Sequence, residues 1–148
     1  MWKRAFRPRV LIYGVVLLAI GIAFVASLST RAPFKADVVR DRGSLARLVE
    51  GGHIENVYRL QLMNATEETQ RFRIDVEDLP GARLHDAGAI VLGPTEARWV
   101  PVAVQVTPQA ARTLGAGAHP MHFRITLLAE GGADAAQARE KSTFVVPR

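Results

Sequence analysis

The stretch that most limits what this chain can become is Val10 to Leu28, VLIYGVVLLAIGIAFVASL, nineteen residues without a charged side chain. A charge at the centre of a bilayer is expensive, and every backbone polar group there must be paired within the chain. An uncharged run of this length therefore favours a membrane-spanning helix. At a helical rise of about 1.5 Å per residue it reaches roughly 28 Å, close to the ~30 Å hydrocarbon core. The alternative is a cleaved secretory signal. Signal cores run about 7 to 15 residues and end in an A-x-A-like site, whereas this run is longer and offers only Ser27 and Ser29 as suitably spaced small residues. A retained anchor is the expectation.

The formal charge of +5 and pI near 10.4 would suit a nucleic-acid binder if the charge were spread along the chain. It is not. Lys3, Arg4, Arg7 and Arg9 precede the apolar run, while the other basic residues and all 14 acidic residues follow it and nearly cancel. A near-neutral domain with interspersed signs has no electrostatic footprint for a phosphate backbone. The basic cluster reads instead as a positive-inside signal, with the N-terminus cytoplasmic and the C-terminal domain exported. The chain contains no cysteine, which excludes disulfides, thiolate-bound iron–sulfur clusters and cysteine nucleophiles in this chain. An exported domain of this kind is stabilised by its apolar core alone.

The charge and proline in Ser29 to Phe34 should end the helix. Beyond them the chain turns to short segments rich in Val, Ile, Phe, Thr and Tyr, separated by Gly, Pro and Asn and alternating with a period of two. Strands are expected at Phe34–Arg40, Ile54–Asn64, Arg71–Asp78, Arg98–Val106, Pro120–Leu128 and Lys141–Val146, with a weak strand or two through Arg83, Leu84 and Ala89–Leu92. The cleanest is Arg71–Asp78, where Phe72, Ile74 and Val76 alternate with charged residues, as in a half-buried antiparallel strand. In Arg98–Val106 the valines 100, 102, 104 and 106 share one face and Pro101 lies on the other, which suggests an edge or a bulge. Gly43, Gly51 and Gly52 break the segment after Arg40, Thr107–Leu114 can make a helical turn, and Glu130–Ala138 reads as a hairpin loop or short helix. Six or seven such strands without a long amphipathic helix predict an antiparallel β-sandwich of immunoglobulin type, with a small barrel as runner-up.

Residues with chemical potential are few. His119, Met121 and His122 are three soft-metal ligands in four positions, but strand positions 119 and 122 face opposite sides. His53 and His85 stand alone. Gly115-Ala-Gly117 precedes a strand and lacks the Lys-Ser/Thr of a nucleotide loop. Glu67 with Glu68, and Glu77 with Asp78, are neighbours on turns and strand ends, where solvated charge is ordinary. Asn64-Ala-Thr66 matches a glycosylation acceptor, and a polar turn accounts for it equally well. Trp99 is either a core residue or an interface anchor. No residue is assigned a catalytic, cofactor-binding or metal-binding role.

Four stretches, taken together and in order, carry a resemblance. RPRVLIYG at Arg7–Gly14, VVRDRGSLAR at Val38–Arg47, IENVYRLQLMN at Ile54–Asn64 and EKSTFVVPR at Glu140–Arg148 resemble the C-terminal part of the cytochrome c oxidase accessory proteins of the CcoG/FixG/RdxA family. The resemblance implies an inner-membrane protein with several spans and a cysteine-rich part holding [4Fe-4S] clusters, followed by a last span and an extracytoplasmic immunoglobulin-like domain. It also implies a role in assembling cbb3-type oxidases, with cluster-dependent reduction of copper during delivery. Without cysteine this chain matches only the last span and the C-terminal domain, so no cluster ligand is carried over. It is expected to be a fragment of a longer polypeptide or a reading frame split from its redox half.

The expected organisation is a basic flank at 1–9, a transmembrane helix at 10–29 and a periplasmic immunoglobulin-like domain at 30–148. The expected function is a membrane-anchored, non-enzymatic interaction module without a cofactor of its own. Its partners would be the lipid bilayer and oxidase subunits or copper-delivery proteins, and no nucleic acid. The rival readings are a copper-binding domain using His119, Met121 and His122, and a purely structural cap.

Overall fold

A computed structural model describes residues 8–29, 32–40, 46–86 and 88–148. The basic positions Lys3, Arg4 and Arg7 and the breaker Gly43 lie outside the described residues. The chain divides into two compact units, Met1–Ala32 and Pro33–Arg148. In the first, helix α1 runs Pro8–Ser29. Pro8 is tolerated at the first helical position because its missing N–H would have no partner there. The span Pro8–Leu28 has a mean hydropathy of 2.6 and is long and apolar enough to cross a membrane.

The second unit is a two-sheet, immunoglobulin-like sandwich. Strands β1 (Phe34–Arg40), β2 (Arg47–Val49), β3 (His53–Asn64), β7 (Ala97–Val106) and β5 (Ala82–His85) form one sheet, and β6 (Ile90–Leu92), β4 (Gln70–Glu77), β8 (Gly117–Leu128) and β9 (Asp134–Val146) form the other. All ladders are antiparallel. The first sheet runs β1-β3-β7-β5, with β2 following β1 along β3, and the second runs β6-β4-β8-β9. The alternation read from the sequence is the reason. Leu60 and Leu62 on β3, Val102, Val104 and Val106 on β7, Phe72 and Ile74 on β4, and Met121, Phe123 and Ile125 on β8 all point between the sheets and are buried. Edge-to-face pairs Phe34–Phe72 and Tyr58–Phe123, with centroids 5.2 and 5.1 Å apart, tie the two layers together.

The sandwich also satisfies its buried polar groups across the layers. Tyr58 on β3 donates its hydroxyl hydrogen to the Thr143 carbonyl on β9 at 2.8 Å, and burial pushes its phenol well above the ordinary tyrosine value. Asn56 donates from Nδ2 to the Val145 carbonyl at 2.9 Å and accepts from the Val145 N–H at 3.4 Å, so one amide side chain takes the place of a neighbouring strand.

Three local expectations are corrected. Glu130–Ala138 is mostly strand: β9 begins at Asp134, and only a tight turn around Gly131 and Gly132 separates it from β8. Pairing along β8 overrides the helix propensity of the alanines, and Ala136 and Ala138 pack on the core. Between Ala46 and His53 the chain forms β2 and a 3-10 turn at Glu50–Gly52 rather than a plain connection. The strand count among the described residues is nine, because β2 is added and Ala82–Leu92 supplies two short strands, one to each sheet. Elsewhere the reading holds: Phe34–Arg40 is a strand over those residues, and Pro108–Leu114 is the helical turn α2, capped by the Thr107 hydroxyl.

Candidate interaction surface

Every outward-facing position of the five-stranded sheet follows from its register. Across β1, β3 and β7 the rows are Lys35–Met63–Ala97, Asp37–Gln61–Trp99 and Val39–Arg59–Pro101, and farther along come Val57–Ala103–His85 and Arg47–Glu55–Gln105–Arg83. Two features stand out on this face. The first is an apolar pair, with Trp99 50% exposed and Met63 39%, while Val39 stands apart at the Arg59–Pro101 row. Trp99 and Met63 are diagonal neighbours on adjacent strands, close enough for long side chains to meet. The valines of β7 took the inner face, so Trp99 is a surface group and not a core one.

The second feature is a cleft of about 460 Å³ whose lining mixes Arg47, Glu50, His53, Glu55, His85 and Gln105 with Val49 and Ala103. Glu55 lies at its base, only 3% exposed although it is on an outer face. Arg47 on β2 donates from Nε to Glu55 Oε1 at 2.7 Å and again from its terminal nitrogen, and Gln105 on β7 donates to Oε2 at 2.7 Å. Burial pushes the pKa of this carboxyl up. The hydrogen bonds from Gln105 and Arg47 and the charges of Arg47 and His85 outweigh it and hold the group below its ordinary value. Glu55 is therefore an ionised staple joining β2, β3 and β7, with both oxygens engaged, and not a free base. No sequence pattern announced it, because an acidic residue at an outward strand position reads as solvated until β2 folds over it.

The outer face of the four-stranded sheet is different. Arg73 pairs with Asp75 and Asp134, Arg124 with Glu77 and Asp75, Arg139 with Glu77 and Asp78, and His122 Nδ1 lies 2.7 Å from Asp78 Oδ2. The structure does not bring the copper candidates together. Met121 is fully buried in the core, His122 faces outward on Asp78, and His119 lies on the face opposite to His122 with Nε2 directed to the Gly115 carbonyl at 2.9 Å. Asn64 is no surface acceptor for a glycan: it is 1% exposed, its Nδ2 donates to the Glu68 and Gly93 carbonyls, and its Oδ1 accepts from Thr66. The side chain pins the β3–β4 turn to the β6–β7 turn.

Residues 24–147 match the family model for the IG-like fold at the C-terminal of FixG. The chain belongs to the FixG/RdxA family. It is 33% identical over 106 residues to protein RdxA of Cereibacter sphaeroides, covering 72% of this chain and 21% of that one. It is 30% identical over 87 residues to the nitrogen fixation protein FixG of Rhizobium meliloti, covering 59% of this chain and 17% of that one. The chain thus spans about a fifth of the length of the curated relatives it matches. The FixG-related protein from Vibrio parahaemolyticus superposes with a TM-score of 0.61 at 23% identity, over 78% of this chain and 97% of that one. That likeness shows the sandwich fold. Within the FixG/RdxA family the apolar N-terminal helix is the membrane span and the immunoglobulin-like domain faces the periplasm. With no cysteine, the chain offers no thiolate ligand to an iron–sulfur cluster.

Proposed function

We propose that this chain is a membrane-anchored, non-enzymatic docking module of the FixG/RdxA family. It would hold the assembly partners of a cbb3-type cytochrome c oxidase, oxidase subunits or copper-delivery proteins, on the periplasmic side. The copper reduction attributed to the family would reside in cysteine-bearing polypeptide outside these residues. The observation that carries the reading is the half-exposed Trp99, with Met63 diagonal to it on the neighbouring strand, on the outer face of the five-stranded sheet. Exposed aromatic and methionine side chains grouped on a rigid sheet, with polar neighbours around them, are the composition of an interface centre. The test is affinity purification of the full chain from membranes of its own host. Oxidase subunits or copper-delivery proteins should be enriched over an unrelated anchored sandwich, and Trp99→Ala should remove that enrichment. Equal recovery with both baits would overturn docking through this face.

A further inference from the structure

The chain holds three methionines and no cysteine, so every sulfur in it is a thioether. Met1 lies outside the described residues. Met121 points between the sheets on β8 and is fully buried, whereas Met63, the last outward-facing residue of β3, is an exposed surface group. The register explains why Met63 is open. Lys35 stands opposite it on β1 and Ala97 opposite it on β7, and both are exposed. The alanine methyl is too short to cover a thioether, and the lysine carries a strongly hydrated ammonium that keeps its tip in water. Trp99, the diagonal neighbour on β7, is a large apolar side chain within reach of Met63.

An accessible thioether is open to oxygen transfer. A sulfur lone pair attacks one oxygen of a peroxide, the S–O bond forms and the O–O bond breaks. The departing hydroxide takes the proton left on the transferred oxygen and leaves as water. Sulfur gives up two electrons and the peroxide gains them. The flexible apolar side chain becomes a polar, chiral one, set between Trp99 and the Lys35 ammonium, which is a donor for the new S–O oxygen. A partner that packs apolar groups on Trp99 and Met63 must then bury that oxygen, which costs free energy unless a hydrogen bond compensates it.

We propose that Met63 is an oxidation site that regulates docking: a peroxide converts its thioether to the sulfoxide, and the sulfoxide releases the partner from the Trp99 face. This rests on the docking reading above and names how that surface is regulated. A bound partner covers Met63, so the modification acts on the free module. Met121, enclosed in the core, is spared, and the sandwich stays folded.

The experiment uses the full chain in nanodiscs with hydrogen peroxide as the probe. Peptide mass spectrometry should show Met63 gaining one oxygen at least about tenfold faster than Met121. In a Trp2→Phe background, which leaves Trp99 as the sole tryptophan, Trp99 emission should change in step with that oxidation. It should stay constant when Met63→Leu, a volume-conserving replacement, is added. For docking, the chain is oxidised, quenched with catalase and used as bait on solubilised host membranes. Recovery of oxidase subunits or copper-delivery proteins should fall about tenfold, the loss of one well-packed interface side chain. Methionine sulfoxide reductases of both epimer specificities, with dithiothreitol, should restore it, and the Met63→Leu bait should recover partners equally with and without peroxide. Equal oxidation rates at Met63 and Met121, or a Met63→Leu bait as sensitive to peroxide as the unmodified chain, would overturn the assignment of the site. Undiminished recovery with Met63 fully oxidised would overturn the regulation while Trp99-dependent docking stands. Recovery that Trp99→Ala does not lower refutes the docking reading itself, and the regulation with it.

Discussion

On the outer face of the four-stranded sheet, Arg73, Asp75, Glu77, Arg124 and Arg139 answer one another across three strands. On the outer face of the five-stranded sheet, Trp99, Met63 and Val39 stand half in water while Glu55 is buried under Arg47 and Gln105. Both faces arise from the same period-two alternation over the same core. One is covered over β4, β8 and β9 by its own ion pairs, with Val91 exposed at its β6 edge. The other exposes apolar area that a partner can cover at Trp99 and Met63, with the Glu55 cleft at the far end of the same strands. In a small sandwich the core explains the fold, and the outer faces decide what the fold is for.

The largest expected effect that would sharpen this contrast is on binding. Trp99→Ala should weaken partner recovery by about thirtyfold, the size of a hot-spot loss near 2 kcal/mol, with little change in thermal stability. Arg139→Ala on the opposite face should leave recovery unchanged, and a comparable loss there would erase the distinction between the faces. Next comes stability. Arg47→Ala leaves a buried carboxylate with one partner fewer and should cost about 1–3 kcal/mol in chemical denaturation, whereas Arg73→Ala, an exposed pair, should cost less than about 0.5 kcal/mol. Similar costs at both sites would show that Glu55 is not the staple described.

The third prediction concerns pH. The Glu55 carboxyl is held below its ordinary value of 4.5. Its contribution to stability is therefore fully present above that value and is lost as pH falls through the lower folded-state value. Unfolding followed from pH 6 downward should show a loss below about pH 4.5 that Glu55→Gln removes in part; an unchanged profile in the variant would contradict the assignment. The smallest of the larger structural effects is at Gly81, which has φ of 72° and a position where a Cβ would meet Ala110 Cβ at 2.6 Å. Gly81→Ala should destabilise the domain by roughly 1 kcal/mol, through the α2 contact and without touching either face.

Much of this architecture was legible in the residues. Phe72, Ile74 and Val76 announced β4 and the four valines of β7 fixed its inner face, while Trp99 stayed open between core and interface until the structure placed it outside. Pro101 pointed to an edge or a bulge, and among the described residues the β5 ladder along β7 stops at Ala103, two residues short of it. What stayed hidden depends on contacts distant in sequence. Ala136 and Ala138 look helical until β8 pairs with them. Glu55 looks solvated until Arg47 reaches it from β2, and nothing local in Ala82–Leu92 tells that β5 and β6 join different sheets. Pairing partners, unlike periodicity, are not written locally.

The central claim is that the Trp99 face, and not the ion-paired face, receives the partner. The most direct measurement places a photocrosslinking amino acid at position 99, or at position 139, in the full chain in native membranes, and compares the adducts. Partner adducts should form from position 99 and not from position 139. Equal yields from the two positions, or adducts from 139 alone, would contradict it.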